Sequence, residues 1–470
     1  MITRLSKGSY TAMLMSVLVI VLICVGCSTT EEPVIKVGLG ETIITPPVGT
    51  PMAGYNRADV SKGVHDDLYA RSIVIEGGDG IGAVMMTIGV VNISRSIADN
   101  IRAGINEQTG IPVDNIIISC THTHSGPEIG GSGDEYRKQL IDKSVENAVT
   151  AWNNRFPGRI GTGSAVCLEL GKNDRRMEYG GIHPDPEVGI IKIEDARGKL
   201  KGIAFNYGCH PSTLDLHNFF FTEDWPYYSI KGIKEEVGQD VWVAYFQSAQ
   251  GDSKIGYTAE LSAVGADMQG IRSFEYAEHK GNMMVEEVVE ALPAITTSGN
   301  PVIKTAIGYY DYPRRESYPI TANEAEKLLK AAQEKLAEIE VKTGSIGKRI
   351  LDRYKVDVFL ADLTLGCARW VERNPDPEPL RDLMHQGIRI GDAVFVTFPC
   401  EVFTEIGLKV KQQSSFEKTF VIGLTSGHGG YIPTAAEYLE GGYAAAMTHY
   451  SPKCEQVCID ASLEMVGKVK

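Results

Sequence analysis

Apolar, β-branched runs alternate with helix-period stretches along this chain, and that alternation predicts an α/β protein of mixed β-sheets flanked by helices. Two observations sharpen the expectation. A Gly391-Asp392 pair between two apolar runs signals a tight hairpin, so part of the pairing should be antiparallel. The chain has 470 residues, 43% of them hydrophobic, without internal repeat or low-complexity tract; that length allows one large domain or about two to three small ones, and a single large domain over residues 35–470 is the preferred reading.

The first residues stand apart from that domain. Arg4 and Lys7 precede an apolar run over 13–26, too short to span a membrane comfortably and suited to a signal sequence. The run ends Val25-Gly26-Cys27 and turns polar at Ser28, which resembles the cleavage site of a bacterial lipoprotein, with Cys24 where Leu is usual. The expectation is a signal peptide over 1–27, a lipidated Cys27 as the new N-terminus and a tether over 28–34. The product would be an exported lipoprotein held to a membrane, on the periplasmic side or the cell surface. An ordinary signal peptide or an uncleaved anchor is the plainer alternative.

Strand signals follow at 70–76, 83–91, 115–120, 189–193, 203–207, 241–246 and 393–398. Helical patterns fall at 94–107, ending near Gly110, and at 134–152, with Leu140, Ile141, Val145, Ala148 and Trp152 on one side. Another runs over 266–292 and stops before Pro293, and a capping box from Thr321 to Glu324 opens one reaching about 341. The stretch 296–319 is the best candidate for a subdomain seam. Of nine cysteines, setting aside Cys24 and Cys27 leaves seven, an odd number that is no disulfide framework. Cys454 and Cys458 lie one helical turn apart; pairing or metal binding is open to them, and the favoured reading is two semi-buried thiols on a terminal helix.

A formal net charge of -14 argues against a nucleic-acid partner, because phosphate binding needs clustered Lys and Arg. The chemistry-bearing residues gather at strand ends. The strand over 115–120 runs into Thr121-His122-Thr123-His124, and on an extended chain residues two apart share a face, so both imidazoles could aim at one point. His210 follows the strand over 203–207. Zinc prefers imidazole and carboxylate in a tetrahedral set with one open position, so two such sites reinforce each other. Glu401 follows the strand over 393–398 and Pro399, where a carboxylate is costly unless paired or bound to a cation. Tyr431, Tyr438 and Tyr443 sit among glycines and suit a site wall. Each feature also has a bland reading, namely a polar pair in a loop, a lone core imidazole, a surface glutamate or loop tyrosines.

Together these segments resemble the neutral (alkaline, non-lysosomal) ceramidase family. Its Thr-His-Thr-His-Ser-Gly-Pro hallmark stands at 121–127, and its other elements are similar to His210-Pro211-Ser212, Pro399-Cys400-Glu401, Tyr431-Ile432-Pro433-Thr434, Glu437-Tyr438 and Tyr443. Gly38-Leu39-Gly40, Ile44-Thr45-Pro46, Met52 to Tyr55, Gly63-Val64-His65 and Ala70-Arg71 fit as well. The resemblance implies the catalytic N-terminal domain of larger members, which continue into a β-sandwich. It implies one Zn2+ held by His122, His210, Glu401 and Tyr431. His124 and Tyr443 would face the substrate, together with Arg175 or Arg176 of Asn173-Asp174-Arg175-Arg176. The implied reaction is hydrolysis of the amide bond of ceramide or a related N-acyl lipid by metal-activated water, with His124 as candidate general acid. Where the family carries a Gly-Asp-x-Ser element, this chain has Gly251-Asp252-Ser253-Lys254, which disfavours a serine nucleophile. Two further readings stay open: a catalytically silent, metal-containing binding lipoprotein, and a zinc hydrolase of a non-lipid amide or ester. A zinc phosphoesterase would need more bridging carboxylates than the motifs offer.

Overall fold

A computed structural model describes residues 35–173, 185–266, 268, 271–342, 347–427 and 429–470. The predicted lipoprotein signal and tether, and Arg175 and Arg176, lie outside the described residues. Eight strands form the larger sheet: β1 (Lys36–Ile43), β2 (Tyr69–Glu76), β3 (Gly82–Ile88), β4 (Ile116–Cys120), β5 (Phe156–Val166), β6 (Glu187–Asp195), β7 (Leu200–Tyr207) and β8 (Trp242–Gln247). Their order is β8-β7-β6-β5-β1-β2-β3-β4. The two end pairs, β7 with β8 and β3 with β4, are parallel, and the others are antiparallel. A second sheet joins β9 (Ile303–Tyr312), β10 (Leu380–Ile390), β11 (Ala393–Thr397) and β12 (Lys418–Ile422) in that order. The β10–β11 hairpin turns at Gly391-Asp392 as predicted, with Gly391 at φ +63°, and β11–β12 is parallel.

The sheets pack face to face. Ile73, Ile75, Ile191 and Phe246 of the first meet Ile388, Phe395 and Phe420 of the second in one buried cluster. Helices cover the outer faces. Helices α1 (Arg95–Thr109) and α2 (Gly133–Asn153) bury Ile101, Ile105, Leu140 and Ala148 against β2, β3 and β4. Helices α3 (Trp225–Val237) and α4 (Phe274–Ala291) cover the opposite half. Helices α7 (Thr404–Gln413) and α9 (Cys454–Val469) cover the second sheet, with the free thiols of Cys454 and Cys458 fully buried. Between these lie the paired helices α5 (Ala322–Lys342) and α6 (Lys348–Arg373), and the short helix α8 (Tyr443–Met447). The described residues fall in one compact unit.

Two expectations are corrected. The proposed seam at 296–319 contains β9, which is hydrogen-bonded along its length to β10. The helix expected over 266–292 starts only at Phe274, because the Ser273 side chain accepts from Tyr276 N and sets the N-cap. The Thr321–Glu324 capping box forms in both directions.

Candidate metal centre

Loops leaving four strands build the site. Beyond β4, Thr121 N and His122 N donate to the carbonyls of Ile88 and Val90, and His122 adopts φ +69°. The two loop imidazoles thus share a target through a left-handed kink, a strained conformation for a non-glycine residue, and not through the expected extended alternation. Beyond β7, His210 N donates to Ser253 O. The buried Gln247 side chain at the end of β8 links both histidine loops, donating to Cys209 O and Thr121 O. Glu401 comes after β11 and Tyr431 after β12. A two-residue parallel bridge sets them directly opposite each other.

The side chains converge. Glu401 Oε2 lies 3.1 Å from His122 Nε2 and 3.3 Å from His210 Nε2. Tyr431 OH is 3.4 Å from His210 Nε2, and His124 Nε2 is 3.4 Å from His122 Nε2. One ring nitrogen each from His122, His124 and His210 lies within 4.8 Å of the other two, so this cluster could hold a metal ion.

Tautomers decide what the cluster wants. His122 Nδ1 is 2.8 Å from Val91 O and His210 Nδ1 is 3.1 Å from Ser253 O. Carbonyls only accept, so both Nδ1 atoms carry protons, and in a neutral ring each Nε2 then presents a lone pair. Two lone pairs therefore face a carboxylate oxygen that has no hydrogen-bond donor. Such an arrangement is repulsive unless a cation sits among the three atoms, so these residues fit a metal. Burial, then the Lys254 charge, pushes His210 down to about 3. Burial, His122, His210 and Lys254 in turn hold His124 well below 6.5. Burial would raise the Glu401 carboxyl, and only positive charge at the two imidazoles facing it brings it well below the usual range.

A second layer braces these groups. Asp252 is buried and accepts from Thr404 N, Thr404 Oγ1 and Asn173 Nδ2, tying the turn after Glu401 to the stretch before Asp174. Gly251 has to be glycine, since a Cβ there would come within 2.7 Å of the Glu401 carbonyl oxygen. Thr123 Oγ1 donates to Thr222 O, and Arg57 Nη2 donates to His124 O. Lys254 is 3% exposed and pairs with Lys172 on a two-residue bridge.

Of the predicted residues, His122, His124, His210, Glu401 and Tyr431 meet at one point. Tyr443 packs edge-on against Tyr431, ring centroids 5.5 Å apart, with its N–H on Glu260 Oε1. Unforeseen were the Val91 and Ser253 carbonyls, Gln247 and Arg57, none of which carries a motif. Asp252 lay inside a recognised element whose serine position drew attention first.

The fold matches the solved neutral ceramidase from Pseudomonas aeruginosa with a TM-score of 0.70 at 18% identity, covering 93% of this chain and 75% of that one. A structure described as ceramidase complexed with C2 matches equally. Among curated sequences, the neutral ceramidase of Pseudomonas aeruginosa is 23% identical over 246 residues, 47% of this chain and 36% of that protein. The neutral ceramidase of Drosophila melanogaster is 31% identical over 223 residues, 40% of this chain and 30% of that protein. The chain thus spans about a third of the curated relatives it matches. No protein-family model matches it.

Proposed function

Because the chain belongs to the neutral ceramidase family, we propose that it is a zinc-dependent hydrolase of the amide bond in ceramide or a related N-acyl lipid. The observation that carries this reading is the meeting of His122 Nε2, His210 Nε2 and Glu401 Oε2 within 3.1–3.3 Å of contact. These three and Tyr431 would hold the ion. When bound, zinc supplies Lewis acidity and lowers the pKa of water from about 16 towards about 7.

The remaining steps belong to the protein. His124 is held neutral, so Nε2 takes a proton from the attacking water and returns it to the leaving nitrogen. The Tyr443 phenol, against Tyr431, donates to the developing oxyanion. Arg175 or Arg176 meets the polar part of the substrate. Lys254 opposes protonation of His124 and His210 and so keeps their lone pairs available. Export and lipidation at Cys27 complete the proposal, placing the enzyme on a membrane where an N-acyl lipid is met; Cys27→Ala should shift it to the soluble fraction.

Lys254 in place of the family serine favours one other reading, a binding lipoprotein whose metal is structural. The deciding assay is hydrolysis of a panel of N-acyl amides, including a fluorescent short-chain ceramide, with added zinc, with chelator and with His122→Ala. Zinc-dependent cleavage lost in the variant supports the hydrolase, and chain-length preference names the substrate. Stoichiometric zinc without turnover on any amide transfers the assignment to the binding protein.

A further inference from the structure

Arg315 is 3% exposed, yet among the described residues no carboxylate pairs with it. Its Nη1 donates to Ala445 O at 2.7 Å, Thr448 O at 3.2 Å and Cys367 Sγ at 3.2 Å, all uncharged acceptors. Those bonds cap the end of α8, a structural duty that suits a cation at a helix C-terminus. They leave the other edge of the guanidinium unused. Nε is buried without any hydrogen-bond partner, and Nη2 makes no hydrogen bond. Neighbouring Arg314 also lacks a carboxylate, and its Nε too is unpartnered. A buried cation offset only by uncharged acceptors and aromatic faces, with no counter-charge, is costly.

The space beside Arg315 has the shape of a binding site. A cavity of about 490 Å³ opens there, lined by Tyr318, Pro319, Tyr438, Leu439 and Ser451. That volume falls among small-molecule pockets. The rings of Tyr318 and Tyr438 stand 4.7 and 5.0 Å from the guanidinium carbon and form flat walls. At the rim Lys453 Nζ lies 3.6 Å from Glu316 Oε1, both well exposed, so that pair cancels and the net charge facing the cavity is that of Arg315. The Nε–Nη2 edge of an arginine is a fork that matches the two oxygens of a carboxylate or phosphate.

We propose that this cavity binds an organic oxyanion, a carboxylate or phosphate monoester on an apolar or aromatic body, with its charge on the unused edge of Arg315. The site shares no lining residue with the metal centre and does not depend on the reaction assigned there.

Calorimetric titration of the intact chain tests this with benzoate, inorganic phosphate and the uncharged benzyl alcohol. Benzoate should bind, phosphate at least tenfold more weakly because it lacks the body, and benzyl alcohol not measurably. Arg315→Gln could unfold α8, so the informative variants are at exposed lining positions. Ser317→Glu places a competing carboxylate at the mouth and should weaken benzoate at least tenfold, whereas Glu316→Gln should tighten it. His122→Ala should leave benzoate binding intact. The proposal is overturned by equal binding of benzoate and benzyl alcohol, by phosphate as tight as benzoate, or by no benzoate binding. Loss of binding in His122→Ala with retention in Ser317→Glu would also overturn it, by moving the anion to the metal centre.

Discussion

Two fully buried histidines each face a tyrosine hydroxyl, and they do opposite things. His210 Nε2 lies 3.4 Å from Tyr431 OH, and His385 Nε2 lies 2.6 Å from Tyr312 OH. Burial pushes both imidazoles down to about 3. At His385 the phenol is close enough to donate to Nε2, its oxygen is 3.2 Å from the Cys458 thiol, and Tyr310 and Phe398 rings pack around the imidazole. That lone pair is satisfied. At His210 the proton is committed to a backbone carbonyl on the Nδ1 side, and Nε2 is turned with His122 Nε2 onto a carboxylate. A depressed imidazole pKa therefore does not tell the two apart, whereas lone pairs converging on a carboxylate mark a cation site.

The largest expected contrast is in metal affinity. Glu401→Gln keeps the shape and removes the charge, so zinc affinity should fall by more than ~100-fold, beyond the range usual for an outer-layer group. His385→Leu should leave it unchanged. Competition with a chromophoric chelator measures both, and an unchanged affinity in Glu401→Gln would end the cation-site reading. Next, Asp252→Asn weakens the brace between Thr404 and Asn173, and zinc affinity should drop by about 10- to 100-fold with little loss of secondary structure. A drop as large as that of Glu401→Gln would make Asp252 a ligand and not a brace.

His385→Leu should act on stability instead. It strips the Tyr312 hydroxyl of its close acceptor, at a cost of ~1–3 kcal/mol in urea unfolding. The smallest effect is on acid sensitivity. Each imidazole ionises about 6.5 when unfolded and about 3 when folded, so the unfolded chain binds more protons between those limits. Stability from this source is complete above pH 6.5 and is lost as pH falls towards 3, at up to ~1.4 kcal/mol per unit for each imidazole. In metal-free protein the His385→Leu variant should show a slope shallower by about one such contribution. An identical slope would mean that His385 is protonated in the folded state.

Regularity in the pattern explains which elements were legible. Helix α1 was bounded from sequence because the Ser94 side chain caps one end and Gly110, at φ +74°, closes the other. Strand β5 was missed because Gly158, Gly161 and Gly163 break its pattern. A Cβ at Gly161 would come within 2.2 Å of Thr296 O on the segment crossing it, so the glycine records a contact distant in sequence. Helix α6 was missed because it is half-exposed around most of its surface and its N-cap, Gly347, makes no side-chain bond. At the site, His122, His124, His210, Glu401 and Tyr431 were legible because strand ends carry them within motifs. The Val91 and Ser253 carbonyls that fix the tautomers were not, since every residue has a carbonyl.

The sequence by itself determined the strand-and-helix alternation, the hairpin at Gly391-Asp392 and the residue types able to hold a cation, because periodicity, turn chemistry and donor atoms are local properties. The tertiary structure alone decided that Glu401 stands opposite Tyr431, that both Nδ1 protons are spent on carbonyls, and that Arg315 is buried with an unused edge. Those facts depend on segments far apart in the chain and on how their backbone groups are satisfied once packed, and no local pattern encodes either.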